Sequence, residues 1–163
     1  MIPLSLPKAV LSNGLTKNMF IILRVLLGSI FLVSGLEKLL SPYQNFLYTL
    51  EAYQLFPNWL GLGVALGFPW VEVLTGIFVV LGLWTQVALR AVLILFAGFI
   101  VVVGQALLRG LPLDNCGCFG DLVHVPARWI IVFDSVLFLL TLFGLRYPAK
   151  LQRFGLDQFF HEQ

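Results

Sequence analysis

Four runs of about 20 mostly apolar residues dominate this chain, and each is long enough to cross the roughly 30 Å hydrocarbon layer of a bilayer as a helix. They cover about residues 19–40, 60–83, 87–108 and 128–145. A soluble fold of 163 residues could not bury them. Here 60% of residues are hydrophobic and 11% charged, against roughly 45–50% apolar and 25% charged in ordinary domains. The chain needs lipid as its solvent. The expected fold is all-α: an up-and-down bundle of four transmembrane helices forming a single membrane domain over residues 1–163. The second and third runs are joined only around Trp84, Thr85 and Gln86, which forces an antiparallel hairpin. A net charge of +2, with no run of Lys or Arg, gives no basis for nucleic-acid binding.

The segment over residues 42–57 reads as more than a linker. It carries Tyr43, Phe46, Tyr48, Tyr53 and Phe56, with Trp59 just beyond. Amphipathic rings favour the membrane interface, so an interfacial helix is expected, with Pro42 at its start and Pro57 at its end. The first nineteen residues hold two prolines, a glycine and two lysines with no continuous apolar core, so the first span reads as a retained helix. Gly28, Ser29, Ser34 and Gly35 in the first span, and Gly61, Gly63, Gly67 and Gly76 in or near the second, allow helices to approach closely. The C-terminal tail, residues 147–163, is the most charged stretch and is expected at the membrane surface.

With four spans, the termini and the middle loop share one side. That side holds seven basic residues, Lys8, Lys17, Arg24, Arg90, Arg146, Lys150 and Arg153, against three opposite, Lys38, Arg109 and Arg128. Positive charge stays inside, so both termini are expected in the cytoplasm and the loop after the third span in the periplasm of a bacterial inner membrane.

That loop contains the only two cysteines, Cys116 and Cys118, in LPLDNCGCFGDLVHVP. Its flanks are turn residues, so the pair belongs at the mouth of the bundle. Two extended residues cover about 7 Å, slightly beyond the usual Cα separation of a disulfide, and a turn at Gly117 would close it. Closing so small a loop stabilises a fold by only about 1.6 kcal/mol on the chain-entropy estimate. A weakly stabilised bond suits exchange chemistry more than a structural staple, and the periplasm permits it. Two other readings stand beside this one. A zinc or copper site could use Cys116, Cys118, His124 and Asp114 or Asp121. The pair could also be a plain structural disulfide or two inert thiols. His124 is either a base or thiolate partner for the cysteines or an ordinary loop residue.

Ionisable groups at membrane depth are costly and so are functional candidates. Glu72 in the second span and Asp134 in the fourth are expected about 10–14 Å below the outer surface. Lys38 lies above them and Arg24 near the inner boundary. Together they offer a proton path or a polar end for a quinone headgroup. The competing reading is a buried pair, Lys38 with Glu72 or with Asp134, that locks the bundle.

The stretch RVLLGSIFLVSGLEK from Arg24 to Lys38 resembles the first-helix pattern of DoxX-like membrane proteins. The FPWVE segment ending at Glu72, and above all CGCFG from Cys116 to Gly120, resemble the methylamine-utilisation MauE branch. The resemblance runs over about residues 20–145. It implies a four-helix inner-membrane protein associated with redox work. MauE-like proteins are linked to maturation of a disulfide-rich periplasmic dehydrogenase subunit beside a thioredoxin-like partner; DoxX relatives are linked to thiol and sulfur oxidation, in places with quinone. By position, Cys116 and Cys118 match the family's cysteines, and Arg24, Lys38 and Glu72 its recurring polar positions.

The expected function is a membrane thiol–disulfide relay or redox-maturation protein. Cys116 and Cys118 would react with a thioredoxin-like or other periplasmic partner, while Glu72, Asp134, Lys38, Arg24 and His124 serve proton or quinone chemistry. The residues commit to no cofactor; a quinone is the candidate. The alternative is a non-catalytic accessory subunit of a larger membrane complex.

Overall fold

The computed structural model describes residues 8–55, 57–111 and 126–146. Among them every regular element is a helix: α1 (Lys8–Leu40), α2 (Tyr43–Ala52), α3 (Asn58–Leu81), α4 (Thr85–Leu108) and α5 (Ala127–Leu145). Three of these, α3, α4 and α5, are long and apolar enough to cross a membrane. The described residues thus form an all-helical fold, and its apolar helices are those of a membrane protein.

α1 begins at Lys8, not near Met19, and runs for 33 residues. No proline follows Pro7 until Pro42, so nothing in the sequence breaks the hydrogen-bond ladder between them. At 1.5 Å per residue α1 is about 50 Å long, well beyond a hydrocarbon layer. α2 stops at Ala52, short of Pro57, because Gln54 turns into the left-handed region at φ 51°. Pro57 instead starts α3. It is extended, at φ −63° and ψ 149°, and its carbonyl accepts from the Leu60 and Gly61 N–H groups at 2.9 and 3.0 Å.

The hairpin link is Gly82, Leu83 and Trp84, and Thr85 already belongs to α4. Gly82 has φ 67°, which costs a residue without Cβ little. Its N–H reaches the Val79 carbonyl, while Leu83 N–H reaches Phe78 O, so the last carbonyls of α3 are satisfied by a Schellman turn. The end of α4 repeats the device at Gly110, φ 65°, with Gly110 N–H on Leu107 O and Leu111 N–H on Ala106 O.

One core joins the four long helices: Leu27 and Phe31 of α1, Val79 of α3, Ala88, Val92 and Phe96 of α4, and Leu137 of α5. Phe31 and Phe96 meet edge to face with centroids 5.1 Å apart. α1 and α3 are antiparallel and touch through their backbones. A Cβ on Gly35 would lie 2.9 Å from the Pro69 carbonyl oxygen, and one on Gly76 would lie 2.9 Å from that of Gly28. Only glycine fits such contacts. α4 and α5 are also antiparallel but less intimate: a Cβ on Gly104 would meet Ile131 Cδ1 at 3.5 Å, an ordinary contact. The outward faces are apolar. Ile94 is 71% exposed and Leu139 61%, as side chains facing lipid would be.

Candidate functional site

The close α1–α3 contact sets the register that brings three polar side chains together. Ser34 and Lys38 stand one turn apart on α1 and so share a face, and Glu72 of α3 meets them both. The Lys38 ammonium donates to Ser34 Oγ at 2.6 Å and to Glu72 Oε2 at 3.0 Å. Ser34 Oγ in turn donates to Glu72 Oε1 at 3.2 Å, closing the ring of bonds. The lysine and glutamate side chains are each 1% exposed. Lys38 also sits in the last turn of α1, where the helix dipole favours a cation. Its Nζ lies 5.5 Å from the centre of the Phe46 ring of α2.

A buried charge pair of this kind is tolerable only when its remaining donors and acceptors are engaged, and here a hydroxyl and the Ser34 carbonyl, at 3.4 Å, complete the set. Ser34 reads from sequence only as a small packing residue; the signal that identifies it is its four-residue spacing from Lys38 on one helix face. Glu72 lies 14 residues into α3, about 21 Å from the helix start, because α3 begins at Asn58. Asp134 lies seven residues into α5, about 10 Å from that helix's start.

Asp134 is not part of this ring. It is 8% exposed and makes no hydrogen bond or ion pair with any described residue. Of the two pairings open to Lys38, the geometry takes Glu72. Arg24 is buried on α1 at 4% exposure, about 21 Å along the helix axis from Lys38, so it belongs to the other end of the bundle. Cys116, Cys118 and His124 lie outside the described residues, as do Asp114, Asp121 and the tail over 147–163. The described chain approaches the cysteine segment at Leu111 and resumes at Pro126.

A second polar cluster joins the end of α2 to the end of α4. The Tyr53 carbonyl accepts from Gln105 Nε2 at 3.3 Å and from Arg109 Nη1 at 3.5 Å, and Arg109 Nη2 donates to Gln54 Oε1 at 3.3 Å. These bonds serve the backbone group that the left-handed turn at Gln54 leaves outside a helix. Sequence reading does not reach this cluster, because Tyr53 and Arg109 are 56 positions apart.

The family model for methylamine utilisation protein MauE matches residues 16–147. The chain is 28% identical over 118 residues to the methylamine utilization protein MauE of Paracoccus denitrificans, covering 71% of this chain and 61% of that one. It is 27% identical over 118 residues to the protein of the same name from Methylorubrum extorquens, covering 72% and 63%. The chain thus aligns with less than two thirds of the length of these curated relatives. No solved structure matches it. With the family model covering most of its length, including all four long helices over their apolar stretches, this chain belongs to the methylamine utilisation protein MauE family.

Proposed function

We propose that the protein is a membrane thiol–disulfide relay for redox maturation, serving methylamine utilisation as the names of its relatives state. The observation that carries this reading is the position of the chain's only cysteines. Cys116 and Cys118 fall in sequence between α4, which ends at Leu108, and α5, which starts at Ala127, and Lys38 of the buried Lys38–Glu72 pair stands in the last turn of α1. In this reading α1 is the fourth span, since its stretch from Met19 to Leu36 contains Arg24 as its single charge. α2 lies in the interface, with Tyr48 67% exposed on one face and Leu50 8% exposed on the other. The whole is one domain of a bacterial inner membrane, with both termini and the tail cytoplasmic and the cysteine segment periplasmic.

Written in the direction of partner oxidation, a thiolate of a periplasmic thioredoxin-like partner attacks one sulfur of the Cys116–Cys118 disulfide. The other sulfur leaves as thiolate. The partner's second thiolate resolves the mixed disulfide, so the partner is oxidised and the pair reduced. The reduced pair passes two electrons and two protons to a membrane quinone, which becomes the quinol, and the disulfide re-forms. Partner reduction runs the same bonds in reverse. In this scheme His124 is a base for a cysteine thiol, and Asp134 is the intramembrane carboxyl left available for proton transfer. Lys38, Glu72 and Arg24 hold the helices around it.

The test is trapping. Cys116→Ser and Cys118→Ser variants, each made in the native membrane, are expected to lose turnover, and one of them to accumulate a mixed disulfide with its partner. Unchanged activity in both would end this reading. It would favour the second one, an accessory subunit of a larger membrane complex, for which the broad apolar surface also provides a docking face. Such a subunit would copurify with stoichiometric partners whatever its cysteines.

A further inference from the structure

A cavity of about 350 Å³ lies between α2, α3 and α4, apart from the polar ring. Its walls are mainly aliphatic, with Leu50 of α2, Val64 of α3, and Leu95 and Val102 of α4. Phe46, Phe68 and Phe99 pack on one another in the wall. Tyr53 alone among the lining residues has a polar side chain. At one end stands Ile94, 71% exposed near the middle of a helix that can cross the membrane, so this end opens toward hydrocarbon. The other end runs to a charge. Gly98, Val102, Gln105 and Arg109 continue one stripe along α4 and its last turn, at steps of four, three and four residues. Arg109 is exposed beside Tyr53, and its guanidinium donates to neutral acceptors: the Tyr53 carbonyl at 3.5 Å, Gln105 Oε1 at 3.4 Å and Gln54 Oε1 at 3.3 Å. No carboxylate among the described residues pairs with it.

Ile94 and Arg109 are about 22 Å apart along the α4 axis. That is the depth of one leaflet, half of the roughly 40–45 Å of a bilayer with its headgroups. We propose that the groove seats one acyl chain of an anionic phospholipid whose phosphate meets the Arg109 guanidinium. The walls ask only for a hydrocarbon chain reaching in from the bilayer, and nothing in them selects a ring. The charge selects the headgroup. A phosphate presents the oxygens that a guanidinium fork fits. A zwitterionic lipid already carries a cation against that phosphate, whereas an anionic one leaves it for the protein to neutralise. The bound lipid fills the space between α2 and the α3–α4 hairpin and holds α2 at the interface. This site is independent of the relay reading.

The test uses the full chain, purified in detergent and freed of lipid, with the thermal midpoint as readout. The probes are dioleoylphosphatidylglycerol, dioleoylphosphatidylcholine and glycerol phosphate. Phosphatidylglycerol is expected to raise the midpoint at about fivefold lower concentration than phosphatidylcholine, the value of one cation near an anionic headgroup, and the gap should narrow at high salt. Glycerol phosphate, which lacks the chain, should leave the midpoint unchanged. Arg109→Gln should erase the preference between the lipids, while Arg109→Lys keeps it. Gly98→Leu fills the groove from a position where a Cβ meets nothing within 4 Å, so the unliganded protein keeps its helicity while affinity for both lipids falls about tenfold. Gly98→Val serves if leucine is not tolerated. No shift with either lipid, or an equal response to the two, overturns the proposal. So does a shift with glycerol phosphate alone, which would make Arg109 a free-anion site. A preference that survives Arg109→Gln, or an affinity that survives both Gly98 variants, puts the lipid elsewhere and overturns it as well.

Discussion

The two halves of the bundle treat a membrane-buried carboxylate in opposite ways. In the α1–α3 half, glycines bring backbones into contact, and Glu72 is held by a lysine and a serine. In the α4–α5 half, helices meet through ordinary side-chain contacts, and Asp134 is buried with no bonding partner among the described residues. Depth in the membrane alone therefore does not mark a functional acid. What marks one is depth without an internal partner, since that group is still available for exchange. The comparison separates Glu72, an element of the fold, from Asp134, the stronger candidate for proton chemistry.

The largest effect expected is from breaking the charge pair on one side only. Glu72→Gln or Lys38→Met should each destabilise the protein by about 3–5 kcal/mol, because the remaining charge is buried alone. The Lys38→Met/Glu72→Met double variant should recover most of that loss in a denaturation cycle; no recovery would mean that the two residues act separately. Next comes the helix contact. Gly76→Ala puts a methyl group against the Gly28 carbonyl and should cost about 1–3 kcal/mol. Gly104→Ala, with only Ile131 Cδ1 at 3.5 Å, should be near neutral or stabilising, and equal costs at the two positions would erase the contrast between the halves.

Asp134→Asn should change stability little while lowering turnover, since it deletes a proton-carrying group that supports no other side chain. A loss of stability as large as that of Glu72→Gln would reverse the assignment. The smallest effect belongs to Arg109→Ala. Arg109 is exposed, and the Tyr53 carbonyl keeps Gln105, so less than about 1 kcal/mol should be lost. A larger loss by chemical denaturation would show that the cluster organises α2.

Much of the helical architecture was legible because bilayer thickness translates directly into run length. The apolar segments over 60–83, 87–108 and 128–145 coincide with α3, α4 and α5 to within a few residues. Their ends are less legible, since a left-handed glycine at Gly82 and an extended Pro57 act through backbone geometry and not hydropathy. The site was legible as residue types. Lys38, Glu72 and Asp134 stand out as polar residues in apolar runs, but their pairing depends on the register between α1 and α3. That register is set by which glycines touch, a three-dimensional fact that no spacing within one helix encodes. The Ser34–Lys38 spacing is readable within α1, but the bond from Ser34 to Glu72 and the approach of Phe46 enter only once the register is known.

The Schellman turn at Gly82 bears on which helices depend on each other. A link of three residues holds α3 and α4 as a tight antiparallel hairpin. Glu72 sits on that hairpin, yet the lysine and serine that bond it both belong to α1. The hairpin's buried carboxylate is thus answered from outside it, so the hairpin cannot be cut away from α1 without stranding Glu72.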